Sequence, residues 1–344
     1  MKLLTRFFCY LLLSISSICF AQKDKYKQKI DSLIQVKSPR TFNGVVLVTR
    51  NGKVEYSRAY GIKNAKTRIP LKPNDQFEIM SNTKQITAVL LLKEVEKGKV
   101  DLHSPIKKYL PSLSQPWADS VTVHQLLNHT HGIVDLEKPL AFRPGSDFKY
   151  GNLSYILLGK IIENVSHQSY SQLANELFKQ LKMKDTFCYA KSDLKKLVSG
   201  HISNEKGLTV SNDSFINDEN MPADGVISTA KDLSVWNDFL HKGKILNADT
   251  YQLLISPSVF SEHDVFGTGK MGYGYAIRIV KDHRVSYFGH TGLGDGFTSL
   301  NVYVPSSDVS IVIMENQMSE INTLYYYFEK LIRDIVLQSS LIKK

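Results

Sequence analysis

Between Gly44 and Gly61 the chain reads GVVLVTRNGKVEYSRAYG, two β-rich runs on either side of Asn51-Gly52. That dipeptide accepts the positive backbone angles of a tight turn, so a β-hairpin is predicted. The period then changes. From Ser81 to about Lys97 a helix is predicted, with Ile86, Val89, Leu90 and Val95 forming an apolar side and Gly98 ending it. From about Asp101 to Asp218 the pattern is one of helices and irregular loops. VTVHQLLNHT, YILLGKIIENV and SYSQLANELFKQL are its clearest helical runs. TAKDLSVWNDFLHKG predicts another helix from Thr229, closed near Gly243. After Met271 the chain turns to short apolar runs separated by turn-like residues. GYGYAIRIV, RVSYFGH, FTSLNVYVP and VSIVIMEN predict four strands, followed by an amphipathic helix from about Glu320 to Leu337.

Strands at both ends and helices between them point to an α/β (α+β) fold. Its economical form is one antiparallel sheet built from both termini, carrying terminal helices, with an inserted all-helical lobe. The expected boundaries put an α/β lobe at about 22–100 and 226–344 and a helical lobe at about 101–225. No Pro/Gly/Ser linker marks separate domains, and a cleft between two such lobes is a natural site.

Three segments could carry chemistry. The first is Ser81-x-x-Lys84, where near-helical spacing puts an amine beside a hydroxyl, one way to make a nucleophile. Ser-x-x-Lys also starts at Ser104, Ser146, Ser192, Ser203, Ser228 and Ser340, so the pattern alone is weak. Ser228 is the serious competitor, but its surroundings look like an ordinary helix start where serine caps backbone N–H groups. The second segment holds Tyr150-Gly151-Asn152, the only Tyr-x-Asn in the chain, just before a strongly apolar run. A tyrosine beside a lysine ammonium can serve as a base; alone, Tyr150 reads equally as a half-buried aromatic. The third is His290-Thr291-Gly292, expected to end a strand before a Gly-rich turn. A strand N–H there can face an oxyanion, although the glycines also suit a plain hairpin.

In this order and spacing the three motifs resemble those of the serine β-lactamase and penicillin-binding-protein superfamily, in its class C-type branch of β-lactamase-related serine hydrolases. VTVHQLLNHTHGI, RPGSDFKYGNLSYILLGKIIE and ADGVISTAKDLSVW are similar to further family segments, so the resemblance covers nearly all of the chain after the first residues. It implies an acyl-enzyme on Ser81, with the proton lost to the Lys84–Tyr150 pair and Tyr150 serving the leaving group and then water. It further implies an oxyanion held by the N–H groups of Ser81 and Leu293, and a substrate held by Asn152, His290, Thr291 and Gly292. No cofactor or metal is required. Two departures stand out: the third motif opens with His290 where many relatives have lysine, which weakens the expected carboxylate anchor, and the second is Tyr-x-Asn, not Ser-Asp-Asn. D-amino-acid peptides, as for a D-Ala-D-Ala carboxypeptidase, or small esters are therefore the expected substrates, peptidoglycan-derived peptides included. A class C-type β-lactamase and a penicillin-binding sensor with little turnover are the alternatives.

Composition narrows the setting. MKLLTRFFCYLLLSISSICFAQ has a positive start, a short apolar core and a small residue at Ala21, as in a secretory signal over residues 1–21. A periplasmic or secreted protein with no stable membrane span is expected, a retained N-terminal tether being the rival. Loss of Lys2 and Arg6 lowers the formal charge from +10 to about +8 (10 − 2) and leaves Cys188 as the sole cysteine. The positive charge is dispersed, without the aromatic-interleaved stripe of a nucleic-acid binder. His124, His129 and His131 cluster in sequence, but no carboxylate spacing completes a zinc site. An α/β-hydrolase is excluded by the lack of a Gly-x-Ser-x-Gly elbow. The sequence is silent on oligomeric state.

Overall fold

A computed structural model describes residues 25–343 apart from 191–193, 195, 212–213 and 282–284. The expected signal over 1–21 and the Ser-x-x-Lys match at Ser192 lie outside the described residues.

In chain order the elements are α1 (Lys25–Leu33), β1 (Gly44–Arg50), β2 (Lys53–Tyr60), β3 (Phe77–Glu78), α2 (Thr83–Glu96), α3 (Val123–Leu127), α4 (Leu153–Ser166) and α5 (Tyr170–Gln180). There follow β4 (Phe187–Cys188), β5 (His201–Asn204), β6 (Gly207–Val210), α6 (Met221–Asp224), β7 (Val226–Ser228), α7 (Ala230–His241) and α8 (Ala248–Ile255). The chain closes with β8 (Val259–His263), β9 (Gly267–Tyr273), β10 (Arg278–Val280), β11 (Tyr287–Gly294), β12 (Phe297–Val304), β13 (Val309–Glu315), β14 (Met318–Ser319) and α9 (Tyr327–Leu337).

The main sheet is antiparallel, in the order β2-β1-β13-β12-β11-β10-β9-β8. The two ends of the chain meet inside it, β1 pairing with β13 from Gly44↔Glu315 to Arg50↔Val309. The predicted hairpin is present, its turn made by Asn51 (φ 51°) and Gly52 (φ 71°). β12 and β13 are buried along their whole length because the sheet is covered on both faces. On one face α1 and α9 pack through Ile30, Phe328 and Ile332, joined by Phe42 from the segment before β1. On the other, α7 and the helical region pack through residues including Trp236, Val89, Leu158 and Phe178.

Several elements depart from the sequence expectation. α2 is buried on every side over its first ten residues, from Thr83 to Leu92, so it is a central helix and not an amphipathic one. Strands begin at Val259, before Met271; β8 is an edge strand of mixed exposure and carries little apolar signal. The short strands β4, β5 and β6 interrupt the region read as helices and loops. The last helix starts at Tyr327, after a 3-10 turn over Asn322–Leu324. His290-Thr291-Gly292 does not end its strand: β11 runs on to Gly294, and the turn is Asp295-Gly296. Among the described residues no helix is long and apolar enough to cross a membrane.

Candidate active site

Ser81 lies in a 3-10 turn, Met80–Asn82, that runs directly into α2. Met80 before it is fully buried and has φ 50°, a left-handed conformation that costs a non-glycine residue roughly 1–2 kcal/mol. The surroundings hold the turn in place. Ser299 Oγ on β12 donates to Ile79 O at 2.9 Å and accepts from Asn82 Nδ2 at 2.8 Å, while Ile79 N donates to Val226 O at 3.0 Å. β11 passes so close that a Cβ at Gly292 would sit 2.2 Å from Ile79 O and 2.5 Å from Ser299 Oγ. Only glycine fits there.

One turn into α2, Lys84 is completely buried. Its Nζ donates to Ser81 Oγ (2.8 Å), Asn152 Oδ1 (2.8 Å) and Ala223 O (3.1 Å), and lies 3.4 Å from Asp224 Oδ1. Asn152 enters from the N-cap position of α4 and donates through Nδ2 to Asp224 Oδ2 at 2.5 Å. Ser81 Oγ donates to Asp224 Oδ1 at 2.9 Å. Asp224 closes the short helix α6, which reaches this position because Gly159 of α4 admits Pro222: a Cβ there would meet Pro222 Cγ at 2.2 Å. The structure thus joins Ser81, Lys84 and Asn152 through a carboxylate that motif reasoning missed. Nothing local marks Asp224 within ADGVIS.

Tyr150 flanks the cluster without bonding to it. Lys84 Nζ stands over its ring, 5.3 Å from the centroid, and its buried hydroxyl makes no hydrogen bond. His129 packs against the ring, centroids 4.5 Å apart and planes tilted by 47°, and is held neutral, burial first and then His131 and Lys84 pushing its pKa far down. His131 Nδ1 accepts from Ile133 N at 2.9 Å, and His124 Nδ1 bonds the Tyr275 hydroxyl at 2.6 Å.

His290 is fully buried, and burial followed by the charge of Arg278 drives its pKa far below the ordinary value. Its Nδ1 lies 2.7 Å from Thr291 O, which can only accept, so Nδ1 carries the proton and Nε2 accepts from the Tyr273 hydroxyl at 3.2 Å. The expected carboxylate anchor is therefore a neutral imidazole tied to the protein. The positive charge comes instead from Arg278 on β10, only 5% exposed. Its guanidinium carbon is 5.3 Å from the Tyr273 ring and 5.8 Å from the Tyr150 ring. Its Nη1 donates to Ser261 Oγ at 3.3 Å, and among the described residues its Nε has no partner and no carboxylate pairs with it. β10 pairs with residues 287–289 of β11, so among the described residues no strand flanks the stretch carrying Thr291, Gly292 and Leu293 on that side.

Elsewhere, Ser228 is buried within β7 and bonds Thr186 Oγ1 at 2.7 Å; the cap of α7 is Thr229, not Ser228. Cys188 is buried and its thiol is pushed up to about 12 by burial. A cavity of about 1170 Å³ between β8–β10 and α9 shares no lining residue with the Ser81 cluster.

A strained turn presenting a serine against a buried lysine, between a helical region and an open strand edge, defines the class: a serine acyl-transfer fold of the β-lactamase and penicillin-binding type. The chain belongs to the Beta-lactamase family, which it matches over residues 30–327. It is 26% identical over 323 residues to protein flp of Staphylococcus aureus (strain MW2), covering 86% of this chain and 64% of that one. With the teichoic acid D-alanine hydrolase of Staphylococcus aureus (strain NCTC 8325 / PS 47) it shares 27% identity over 274 residues, 73% of this chain and 64% of the other. The chain thus spans just under two thirds of the length of these curated relatives. The D-amino acid amidase of Ochrobactrum anthropi SV3 has the same fold, with a TM-score of 0.80 at 20% identity over 90% of this chain and 98% of that one.

Proposed function

We propose that the protein is an exported serine hydrolase that forms an acyl-enzyme on Ser81 and acts on D-amino-acid peptides of the D-Ala-D-Ala type or on small esters. The observation that carries this reading is the contact between Ser81 Oγ and the buried Nζ of Lys84 at 2.8 Å. An ammonium at that distance stabilises the oxygen as it loses its proton and attacks a carbonyl carbon. In this reading the developing oxyanion lies between the N–H groups of Ser81 and Leu293, beside the open edge of β11. Asn152 orients the acyl side chain, and Thr291 and Gly292 line the track of the substrate. Tyr150 walls the cleft and supplies a hydroxyl with no protein partner.

The substrate class is supported from two sides. Two relatives carry names that concern D-amino acids, the teichoic acid D-alanine hydrolase and the D-amino acid amidase. Arg278 favours a substrate with a free carboxylate, because a buried guanidinium that no carboxylate among the described residues balances is costly until an anion arrives. That preference suits a C-terminal D-amino acid better than a D-alanyl ester, whose acyl group ends in an ammonium. β-Lactams also bear a carboxylate, so a class C-type β-lactamase is the second reading.

The test is labelling with a fluorophosphonate and a fluorescent penicillin, where Ser81→Ala is expected to abolish reaction. A Ser81→Ala protein that labels at the wild-type rate would sink the acyl-enzyme. Turnover of a D-Ala-D-Ala peptide, a p-nitrophenyl ester and a cephalosporin then ranks the substrates; a trapped acyl-enzyme with all three indicates a sensor.

A further inference from the structure

β8 is the outermost strand of the main sheet, yet two of its side chains reach towards the cleft. Ser261 is buried and His263 half-buried, while Phe260 and Glu262 between and beside them face solvent. Ser261 Oγ accepts from Arg278 Nη1 at 3.3 Å, and His263 Nε2 lies 3.1 Å from Thr291 Oγ1. Arg278 and Thr291 share a face of the sheet. Arg278 lies opposite Gly289 in the β10–β11 ladder, and Thr291 is the next residue of β11 on that side. One edge strand thus holds both an arginine and a hydroxyl at the stretch of β11 that no described strand flanks.

The direction of the His263–Thr291 bond follows from the other ring nitrogen. Nδ1 accepts from Val265 N at 3.3 Å and so carries no proton. The ring is neutral, pushed down to about 3 by burial and then by the charge of Arg278. The single proton of the imidazole is therefore on Nε2, which donates to Thr291 Oγ1. Phe266 and Tyr326 pack around the ring, each with its centroid 5.6 Å away. With one lone pair taken by His263, the proton of the Thr291 hydroxyl points away from that ring. The Tyr326 hydroxyl bonds the Thr291 side chain and gives its own proton to Gly292 O at 3.3 Å, so it can accept that of Thr291. A carboxylate beside Arg278 is the stronger acceptor, because it is charged, and draws the proton to itself.

We propose that His263 is a positioning residue for substrate binding: it fixes the Thr291 hydroxyl so that its proton, beside the Arg278 guanidinium, meets the carboxylate of a C-terminal D-amino acid. This rests on the reading of Arg278 as the partner of a substrate carboxylate. Arginine and hydroxyl together give the carboxylate two charge-assisted bonds where Arg278 alone gives one. His290 does not take this part, since its ring is tied to Thr291 O and the Tyr273 hydroxyl. The part falls to a histidine from an edge strand that no motif marks.

The test is the ratio of kcat/KM for a D-Ala-D-Ala peptide to that for the same peptide ending in an amide. Wild type should prefer the free acid. His263→Phe keeps a ring between Phe266 and Tyr326 but has no N–H, so the ratio should fall about tenfold, mostly through KM. His263→Gln can aim an amide N–H at Thr291 Oγ1 and should hold the ratio within about threefold of wild type. In a Thr291→Val background, His263→Phe should lower the ratio by less than about twofold, because the group it acts through is gone. A mere packing role would slow both peptides alike, leave glutamine no better than phenylalanine and add in full to Thr291→Val. Any of these results overturns the proposal. A preference for the acid that Arg278→Met loses and His263→Phe keeps overturns the role of His263 alone. A wild type that treats acid and amide alike, or hydrolyses neither, overturns it together with the reading on which it rests. Should His263→Phe not fold, His263→Leu is read in the same way.

Discussion

Replacing Arg278 by methionine should separate binding from stability. The guanidinium is buried, donates a long hydrogen bond to Ser261 Oγ at 3.3 Å and leaves Nε unpartnered among the described residues. An unsatisfied buried donor of this kind costs roughly 1–3 kcal/mol. Against it stand contacts with the Tyr150 and Tyr273 rings, each worth about 0.5–2 kcal/mol. The two terms nearly cancel, and methionine is about as long and fills the same irregular space. Arg278→Met is therefore expected to unfold in urea within about 1 kcal/mol of wild type. Binding tells differently. A substrate carboxylate meeting the guanidinium gains a charge-assisted hydrogen bond of about 1.5–3 kcal/mol, or roughly 10–150-fold in affinity. The assay compares kcat/KM for a D-Ala-D-Ala peptide with that for the same peptide carrying a C-terminal amide, and for a neutral p-nitrophenyl ester. The variant should lose about 10–150-fold on the free acid, mostly in KM, and less than about threefold on the other two. Equal losses on all three substrates, or a loss of several kcal/mol in stability, would refute the assignment of Arg278 as an anion site.

Two further outcomes follow from the geometry. Gly292→Ala forces a methyl to 2.2 Å from the backbone oxygen of Ile79, which cannot rotate away. Because β11 must shift relative to the Ser81 turn, kcat/KM should fall about 10²-fold for every substrate, with about 1–3 kcal/mol lost in chemical denaturation; unchanged turnover would show that β11 does not line the cleft. Glu78→Gln should change the pH dependence of stability. The folded-state value of Glu78 is raised to about 8 from an ordinary 4.5, so between those values the unfolded chain ionises first and stability falls as pH rises. The glutamine variant lacks that loss, and urea unfolding at about pH 5 and about pH 8.5 should show its advantage growing by up to a few kcal/mol. Parallel curves for the two proteins would mean that Glu78 is not buried as a carboxyl.

The parts of the site legible in sequence were those written locally. Ser81 and Lys84 lie one helical turn apart, Tyr150 and Asn152 precede an apolar run, and His290 to Gly292 sit in a run that reads as a strand. Each could be named because its spacing reflects a single element. The hairpin at Asn51-Gly52 and the return of both termini to one sheet were legible for the same reason: period and turn chemistry are short-range. β8 escaped because an edge strand of mixed exposure has no apolar alternation. The extent of β11 was misjudged because Gly292 reads as a breaker, when its real constraint is a neighbour distant in sequence, Ile79.

Asp224 shows the limit more sharply. Its partners lie 143, 140 and 72 residues away in the chain. Its position depends on Gly159 admitting Pro222, a contact no periodicity encodes. Motifs name the groups that one element can supply, whereas charge balance in a buried site is a property of all the elements together. Once Lys84 is known to be sealed from water, a compensating anion becomes a physical requirement, and the question left to the fold is only which element delivers it. The same reasoning applied to Arg278, a second buried cation, finds no protein anion among the described residues. The two cations are thus sorted by their partners. Lys84 is neutralised from within and is fitted to stay in place through the chemistry, while Arg278 is left open and is fitted to receive a charge that arrives with the substrate.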